Sequence, residues 1–165
     1  MSLLHLFIIR HGKAESDAET DFDRTLASRG LRQSLELARQ IPAPDSNSLA
    51  LISPAQRTLQ TSTQLLEGWG LRVWPEHEIV AWGYLASAEA WHHACNQAPE
   101  TVRSIYVIGH NPGLSEWAAD LIGERRGAIH LATAEAIHIT FDLPEWRYLS
   151  HGTGITAAWL GRSPM

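Results

Sequence analysis

The chain has 165 residues, of which 44% are hydrophobic, and it carries a formal net charge of −5 at pH 7. This length and composition predict a single globular domain over residues 1–165. The acidic balance argues against a general electrostatic attraction to nucleic acid or to anionic membrane surfaces.

Cys95 is the only cysteine, so no disulfide can form within the chain, and a reducing, cytoplasmic compartment is expected. The N-terminal apolar run lacks a basic leader and ends in an Arg-His pair, so it predicts a buried strand and not an export signal. No stretch approaches the roughly 18 consecutive apolar residues of an ordinary membrane span.

The first predicted element is this buried strand, Leu4 to Ile9, which ends in two polar residues, Arg10 and His11. The polar, acidic stretch 13–24 predicts a surface loop at the same end of the sheet as His11. Residues 28–41 carry apolar side chains at helical spacing and predict the first helix, which two following prolines end.

Residues 48–53 predict a second buried strand, and Pro54 fits the first turn of a helix that runs to about residue 69. Arg57 lies in the first turn of that helix. Its side chain is therefore expected near the carboxyl end of the second strand. Residues 71–74 predict a short third strand.

The later predicted elements are helices over 86–98 and 113–122, strands over 104–109 and 134–143, and a hairpin of 146–149 with 155–160. The strand over 104–109 ends at His110, as the first strand ends at His11. Ligands bind beyond the carboxyl ends of parallel strands, so these histidines are predicted to face each other across one pocket. The pattern predicts an α/β fold, a three-layer α/β/α sandwich around a mostly parallel sheet.

Four residues are thus expected at one end of the sheet: Arg10, His11, Arg57 and His110. Two arginines can hold a tetrahedral oxyanion through charge-assisted hydrogen bonds. Histidine can act as a nucleophile toward phosphorus, because the resulting phosphoramidate is labile. The second histidine, with backbone N–H groups at the helix start near Asn111, can donate to a phosphate oxygen. The pattern predicts phosphoryl transfer without a metal or another cofactor.

Each of these features has a structural alternative. A histidine at a strand end is more often an ordinary hydrogen-bonded residue, and an isolated Arg-His-Gly triplet occurs by chance. The strand over 104–109, which also ends at a histidine, favours a catalytic role for the two histidines. The acidic run 15–23 has no metal-ligand spacing and predicts a solvated loop.

Four motifs stand in order along nearly the whole chain: RHGKAE at 10–15, DRTLASRG at 23–30, SPAQRTLQT at 53–61 and VIGHNPGL at 107–114. Together they resemble the histidine phosphatase superfamily, specifically its short SixA-like phosphohistidine phosphatases. The resemblance implies a phosphoglycerate mutase-like fold. It also implies that His11 is the phosphorylated nucleophile, that Arg10, Arg57 and His110 complete the phosphate pocket, and that Arg24 lies near its mouth.

Two departures from related sequences matter. Position 17 is Asp17, where phosphoglycerate mutase-like members carry asparagine, and a carboxylate that faced phosphate would repel it. Larger relatives insert a cap that carries an acid between the second arginine and the second histidine. Only residues 58–109 lie between Arg57 and His110 here, so no inserted cap domain is expected.

The missing cap bears on the substrate. A phosphoester leaves as a basic alkoxide and gains from a general acid, whereas phosphohistidine releases an imidazole that water readily protonates. The favoured function is a metal-independent phosphatase that acts on a phosphohistidine-bearing protein, such as a phosphotransfer domain. A small-molecule phosphomonoesterase, with Glu78 or else Glu76 as the acid, and a non-catalytic phosphate-binding module are the alternatives.

Overall fold

A computed structural model describes residues 2–162, which form one six-stranded sheet covered by helices on both faces. The strands are β1 (Leu4–Arg10), β2 (Ser48–Ile52), β3 (His77–Ile79), β4 (Ser104–Gly109), β5 (Ala136–Phe141) and β6 (Gly154–Leu160). The helices are α1 (Ser28–Leu37), α2 (Gln56–Gly68), α3 (Ala88–Asn96) and α4 (Gly113–Leu121). Short 3-10 helices cover Ala81–Gly83 and Trp146–Tyr148. None of the helices within residues 2–162 has the length and apolar character needed to cross a bilayer.

The strand order is β3-β2-β4-β1-β5-β6, and the first four of these strands run parallel. β5 runs antiparallel to β1, and β6 antiparallel to β5, so the sheet is mostly parallel, as predicted. β1 and β4 are neighbours in the middle of the sheet, with Arg10 opposite Gly109. This register places the next residues, His11 and His110, side by side at the carboxyl edge.

Side chains alternate between the two faces of β1 and so divide the core into two layers. Leu6 and Ile8 pack with α3 and α4, whereas Phe7 and Ile9 pack with α1 and α2. On the α3 face Trp91 is fully buried, and burial of a side chain of this size contributes about 4 to 6 kcal/mol at roughly 25 cal/mol per Å². The predicted three-layer α/β/α architecture is confirmed.

Two short elements differ from the sequence prediction. Residues 71–74 do not form the third strand, because Trp74 turns inward against Trp69 and Tyr106. The strand is instead β3, three residues long and exposed at every position. Such a strand has no hydrophobic alternation from which it could be recognised.

The predicted hairpin of 146–149 with 155–160 is also wrong in its first half. Trp146 lies in a 3-10 helix, where its ring is buried and its Nε1–H donates to the carbonyl oxygen of Val102 at 2.9 Å. The second half forms β6, which pairs with β5 at the edge of the sheet. α2 also begins later than predicted, because Ala55 is its N-cap and Pro54 precedes it.

The chain between Arg57 and His110 forms the rest of α2, then β3, one 3-10 helix, α3 and β4. All of these belong to the sheet or to the layers that cover it. The structure describes every residue between Arg57 and His110, and none of them belongs to an inserted cap domain, as predicted.

Candidate active site

The ends of β1 and β4 form the floor of a cavity of about 190 Å³, here called the strand-end pocket. Its lining residues are Arg10, His11, Lys13, Ala14, Arg24, Arg57, Leu85, His110, Asn111 and Thr133. The structure thus brings together the four residues that the strand ends predicted, and Arg24 and Asn111 join them. Four of the lining residues are cations and none is a carboxylate, so the pocket suits a small, highly charged anion.

His11 has one ring nitrogen fixed and one directed to its cationic neighbours. Its Nδ1–H donates to the carbonyl oxygen of Gly12 at 2.7 Å, which places the proton on Nδ1. Nε2 then carries the lone pair and lies 3.3 Å from Nε of Arg57. A buried imidazole held in this tautomer presents Nε2 as a nucleophile.

The turn after His11 is held by close backbone packing. The N–H of Gly12 donates to Oγ1 of Thr61 in α2 at 3.1 Å. A Cβ atom on Gly12 would lie 2.7 Å from the carbonyl oxygen of Gly30, and one on Gly30 would lie 2.0 Å from that of Lys13. Both positions need glycine, because α1 and the turn touch without intervening side chains.

His110 faces His11 at a distance of 5.4 Å between ring centroids. Its Nε2 is bonded to Oγ of Ser53 at 2.7 Å, at the end of β2. Its Nδ1 is buried and has no hydrogen-bond partner within residues 2–162. When the Ser53 hydroxyl donates to Nε2, Nδ1 carries the proton and can donate to an anion.

The helix start after His110 is partly engaged in bonds within the fold. The N–H of Leu114 donates to the carbonyl oxygen of His110 at 3.2 Å, and Pro112 has no N–H. The side chain of Asn111 braces the fold, because its Nδ2 donates to the carbonyl oxygen of Leu131 at 2.7 Å and its Oδ1 accepts from Oγ of Ser115. The N–H of Leu114 and the side-chain amide of Asn111 are therefore engaged within the fold.

The two arginines at the pocket floor are held by main-chain oxygens. Nη1 of Arg10 donates to the carbonyl oxygen of Leu131 at 2.9 Å. Arg57 is 3% exposed, and its Nη1 donates to the carbonyl oxygen of Asp21 at 2.7 Å. Both guanidinium groups are thus oriented before any ligand arrives, which reduces the entropy lost on binding.

Sequence reasoning missed several residues of this site, among them Ser53, Asp21 and Tyr84. Ser53 is the first residue of the SPAQRTLQT motif, and its position at the end of β2 could have indicated its contact with His110. Asp21 lies in an acidic loop without periodicity and binds both Arg57 and Arg24. Tyr84 follows β3, and its hydroxyl donates to Asp21. No pattern in the sequence singled out either of these two residues.

Glu78 does not reach the strand-end pocket, which corrects its nomination as a proton donor. It lies opposite Leu51 in the register of β2 and β3, and strand partners point to the same face of a sheet. Both line a different cavity, of about 720 Å³, against α3. Glu76 lines that cavity as well, and Asp17 is exposed on the loop after β1.

The pKa values of both histidines are lowered from the ordinary value of 6.5. Burial lowers that of His11 to about 4, with Arg57 and Arg10 adding to the effect and the bond to Gly12 opposing it. Burial, followed by the charge of Arg57, lowers that of His110 to about 3. Both rings are therefore neutral near pH 7, as a nucleophile requires.

We expect kcat/KM to persist as the pH falls from about 7 to about 5 and to decline below about 4, where Nε2 of His11 gains a proton. The unfolding free energy should decrease as the pH falls from 6.5 toward 4, because the unfolded chain then binds protons that these buried rings do not. NMR titration of the protein labelled with ¹⁵N-histidine, in which the His11 signal is assigned by its loss in His11→Gln, measures the pKa of His11 directly. A midpoint near 6.5 for His11 would contradict the burial argument.

Within the described part of the chain, no three histidine, cysteine, aspartate or glutamate side chains are grouped as ligands for a metal ion.

The chain matches the histidine phosphatase superfamily (branch 1) over residues 6–105. It is 29% identical over 132 residues to the phosphohistidine phosphatase SixA homolog of Haemophilus influenzae, an alignment that covers 74% of this chain and 79% of the relative. The structure of the protein histidine phosphatase SixA complexed with tungstate is similar, with a TM-score of 0.72, 24% identity and coverage of 95% and 96%. A SixA-type protein of Nakamurella multipartitia superposes with a TM-score of 0.78, 18% identity and 96% coverage of both chains. The two structural likenesses confirm the predicted fold.

Proposed function

The chain belongs to the histidine phosphatase superfamily, and from that premise we propose that it removes phosphate from phosphohistidine on a protein, through a phospho-His11 intermediate. The observation that carries the proposal is the neutral Nε2 of His11, which lies among cations in a pocket without a lining carboxylate.

In the first step Nε2 of His11 attacks phosphorus. A new N–P bond forms, the N–P bond of the substrate breaks, and the departing imidazole takes a proton from water. Arg10 and Arg57 bind the transferred oxygens, and Nδ1–H of His110 donates to one of them as charge develops. In the second step water attacks phosphorus, the N–P bond to His11 breaks, and inorganic phosphate leaves.

The lining of the pocket favours phosphohistidine over a phosphoester. An alkoxide leaving group needs a general acid, and the strand-end pocket has no lining carboxylate to supply one. Leu85, which is 54% exposed at the pocket, presents an apolar side chain to an incoming imidazole. The absence of a cap between Arg57 and His110 leaves room for a side chain that is still attached to a folded protein. Similarity to the phosphohistidine phosphatase SixA homolog of Haemophilus influenzae is consistent with this substrate.

The test compares turnover of a protein phosphorylated on histidine with turnover of phosphoserine peptide, sugar phosphate and nucleotide monophosphate, each with and without a chelator. We expect kcat/KM to be highest for the phosphohistidine protein and unchanged by the chelator. Faster turnover of a sugar or nucleotide phosphate would support the small-molecule phosphomonoesterase instead. Binding of the phosphoprotein without turnover would support a phosphate-binding module.

A further inference from the structure

Asp21 lies in the loop between β1 and α1 and binds three side chains around the strand-end pocket. Its Oδ2 accepts a hydrogen bond from Nη2 of Arg57 at 3.0 Å and another from the hydroxyl of Tyr84. Its Oδ1 accepts from Nη1 of Arg24 at 3.0 Å, and its main-chain carbonyl oxygen accepts from Nη1 of Arg57 at 2.7 Å. Asp21 therefore links Arg57 and Arg24 to Tyr84, in the segment that follows β3.

The contacts of Asp21 decide which edge of Arg57 faces the pocket. A guanidinium group presents donors along an end edge, formed by its two terminal nitrogens, and along a side edge that includes Nε. Asp21 occupies the end edge with its carboxylate and its carbonyl oxygen. The side edge points into the site, because Nε lies 3.3 Å from Nε2 of His11. The edge left for phosphate is the one beside the nucleophile.

Asp21 also supplies the negative charge that this part of the site needs. Arg57 and Arg24 line one small cavity, where like charges repel each other. Hydrogen bonds from Tyr84, Arg24 and Arg57 hold the pKa of the Asp21 carboxyl well below its usual range. The carboxylate is therefore ionised, which favours the two arginines lying together and rules the group out as a proton donor near pH 7.

The loop that carries Asp21 is anchored on both sides. The N–H of Gln56, at the start of α2, donates to the carbonyl oxygen of Phe22 at 3.2 Å. The ring of Phe22 meets Tyr84 edge-on at 5.1 Å, and the ring of Tyr84 meets His110 edge-on at 5.4 Å. These contacts give Asp21 a defined place beside the pocket.

We propose that Asp21 is a positioning residue, which holds Arg57 by its end edge so that the side edge faces the transferred phosphoryl group. The inference rests on the proposed function in taking phosphate as the ligand of Arg57. The opposing interpretation is that the Asp21 carboxylate competes with phosphate for the arginines. The two interpretations predict opposite effects when the carboxylate is removed.

The experiment measures inorganic phosphate binding by calorimetry, and kcat and KM with a small phosphoramidate, for Asp21→Ala and Asp21→Asn. We expect phosphate binding and kcat/KM of Asp21→Ala to fall roughly tenfold to a hundredfold, by analogy with the loss of a group that orients a metal-binding side chain. Asp21→Asn, which keeps one oxygen acceptor, should lie between Asp21→Ala and the wild type. Tighter phosphate binding with retained turnover would overturn the proposal in favour of competition.

Asp23→Asn is the matched control, because Asp23 lies in the same loop and its carboxylate bonds to Thr20 without reaching either arginine. It should behave as the wild type.

The double variant Asp21→Ala with Arg57→Ala separates positioning from a general loss of structure. If Asp21 acts through Arg57, its removal should change kcat/KM less than twofold in the Arg57→Ala background. A full loss in that background would overturn the proposal. If the wild type binds phosphate but leaves phosphohistidine intact, the proposed function fails, and phosphate binding still decides the role of Asp21.

Discussion

His11→Ala is expected to reduce turnover by about 10⁴-fold or more while the chain stays folded, because the residue supplies the nitrogen that becomes bonded to phosphorus. The other histidine of the strand-end pocket, His110, cannot replace it, since its Nε2 is bonded to Ser53. The substitution removes two side-chain hydrogen bonds, one to the carbonyl oxygen of Gly12 and one from Nε of Arg57, and His11 lies outside the paired residues of β1.

The phospho-His11 intermediate can be detected by rapid-quench mass spectrometry of the wild type with a phosphohistidine protein, in the presence of a chelator. Phosphate should form and decay on the peptide that contains His11, and none should form in His11→Ala. His93→Ala is the matched control, because His93 is an exposed histidine of α3 outside the strand-end pocket. Near-wild-type turnover by purified His11→Ala would refute the covalent mechanism.

Arg57→Ala is expected to lower kcat by roughly 10²- to 10³-fold, a loss of about 2.7 to 4 kcal/mol of transition-state stabilisation, by analogy with removal of an oxyanion donor. The guanidinium is buried between His11 and Asp21, so it is oriented before substrate binds. Arg57→Lys should recover part of this loss, because an ammonium keeps the charge but cannot contact both residues in one plane.

Steady-state kinetics of these two variants should show the loss mainly in kcat, since charge on the transferred oxygens changes most in the transition state. Arg39→Ala serves as the control, because Arg39 is exposed and pairs only with Glu36 among the described residues. An Arg57→Ala variant with unchanged kcat and only a raised KM would assign the residue to substrate binding alone.

Most of the fold and the pocket floor could be predicted because their signals are local. A run of apolar residues that stops at Arg10 and His11 is typical of a buried strand with polar residues at its carboxyl end. The run before His110 has the same pattern. Arg57 follows from helix geometry, since a residue in the first turn after β2 lies at the same edge.

The sequence by itself determined the α/β class, the mostly parallel sheet and the meeting of His11 with His110, because each depends on the order of strands and on where each strand ends. Only the tertiary structure decided that Glu78 points into another cavity, since that depends on its register opposite Leu51. Only the tertiary structure placed the Asp21 carboxylate on Arg57 and the Tyr84 hydroxyl on Asp21. The physical reason is that an irregular loop has no period that relates sequence position to direction, so its side chains are placed by contacts with distant parts of the chain.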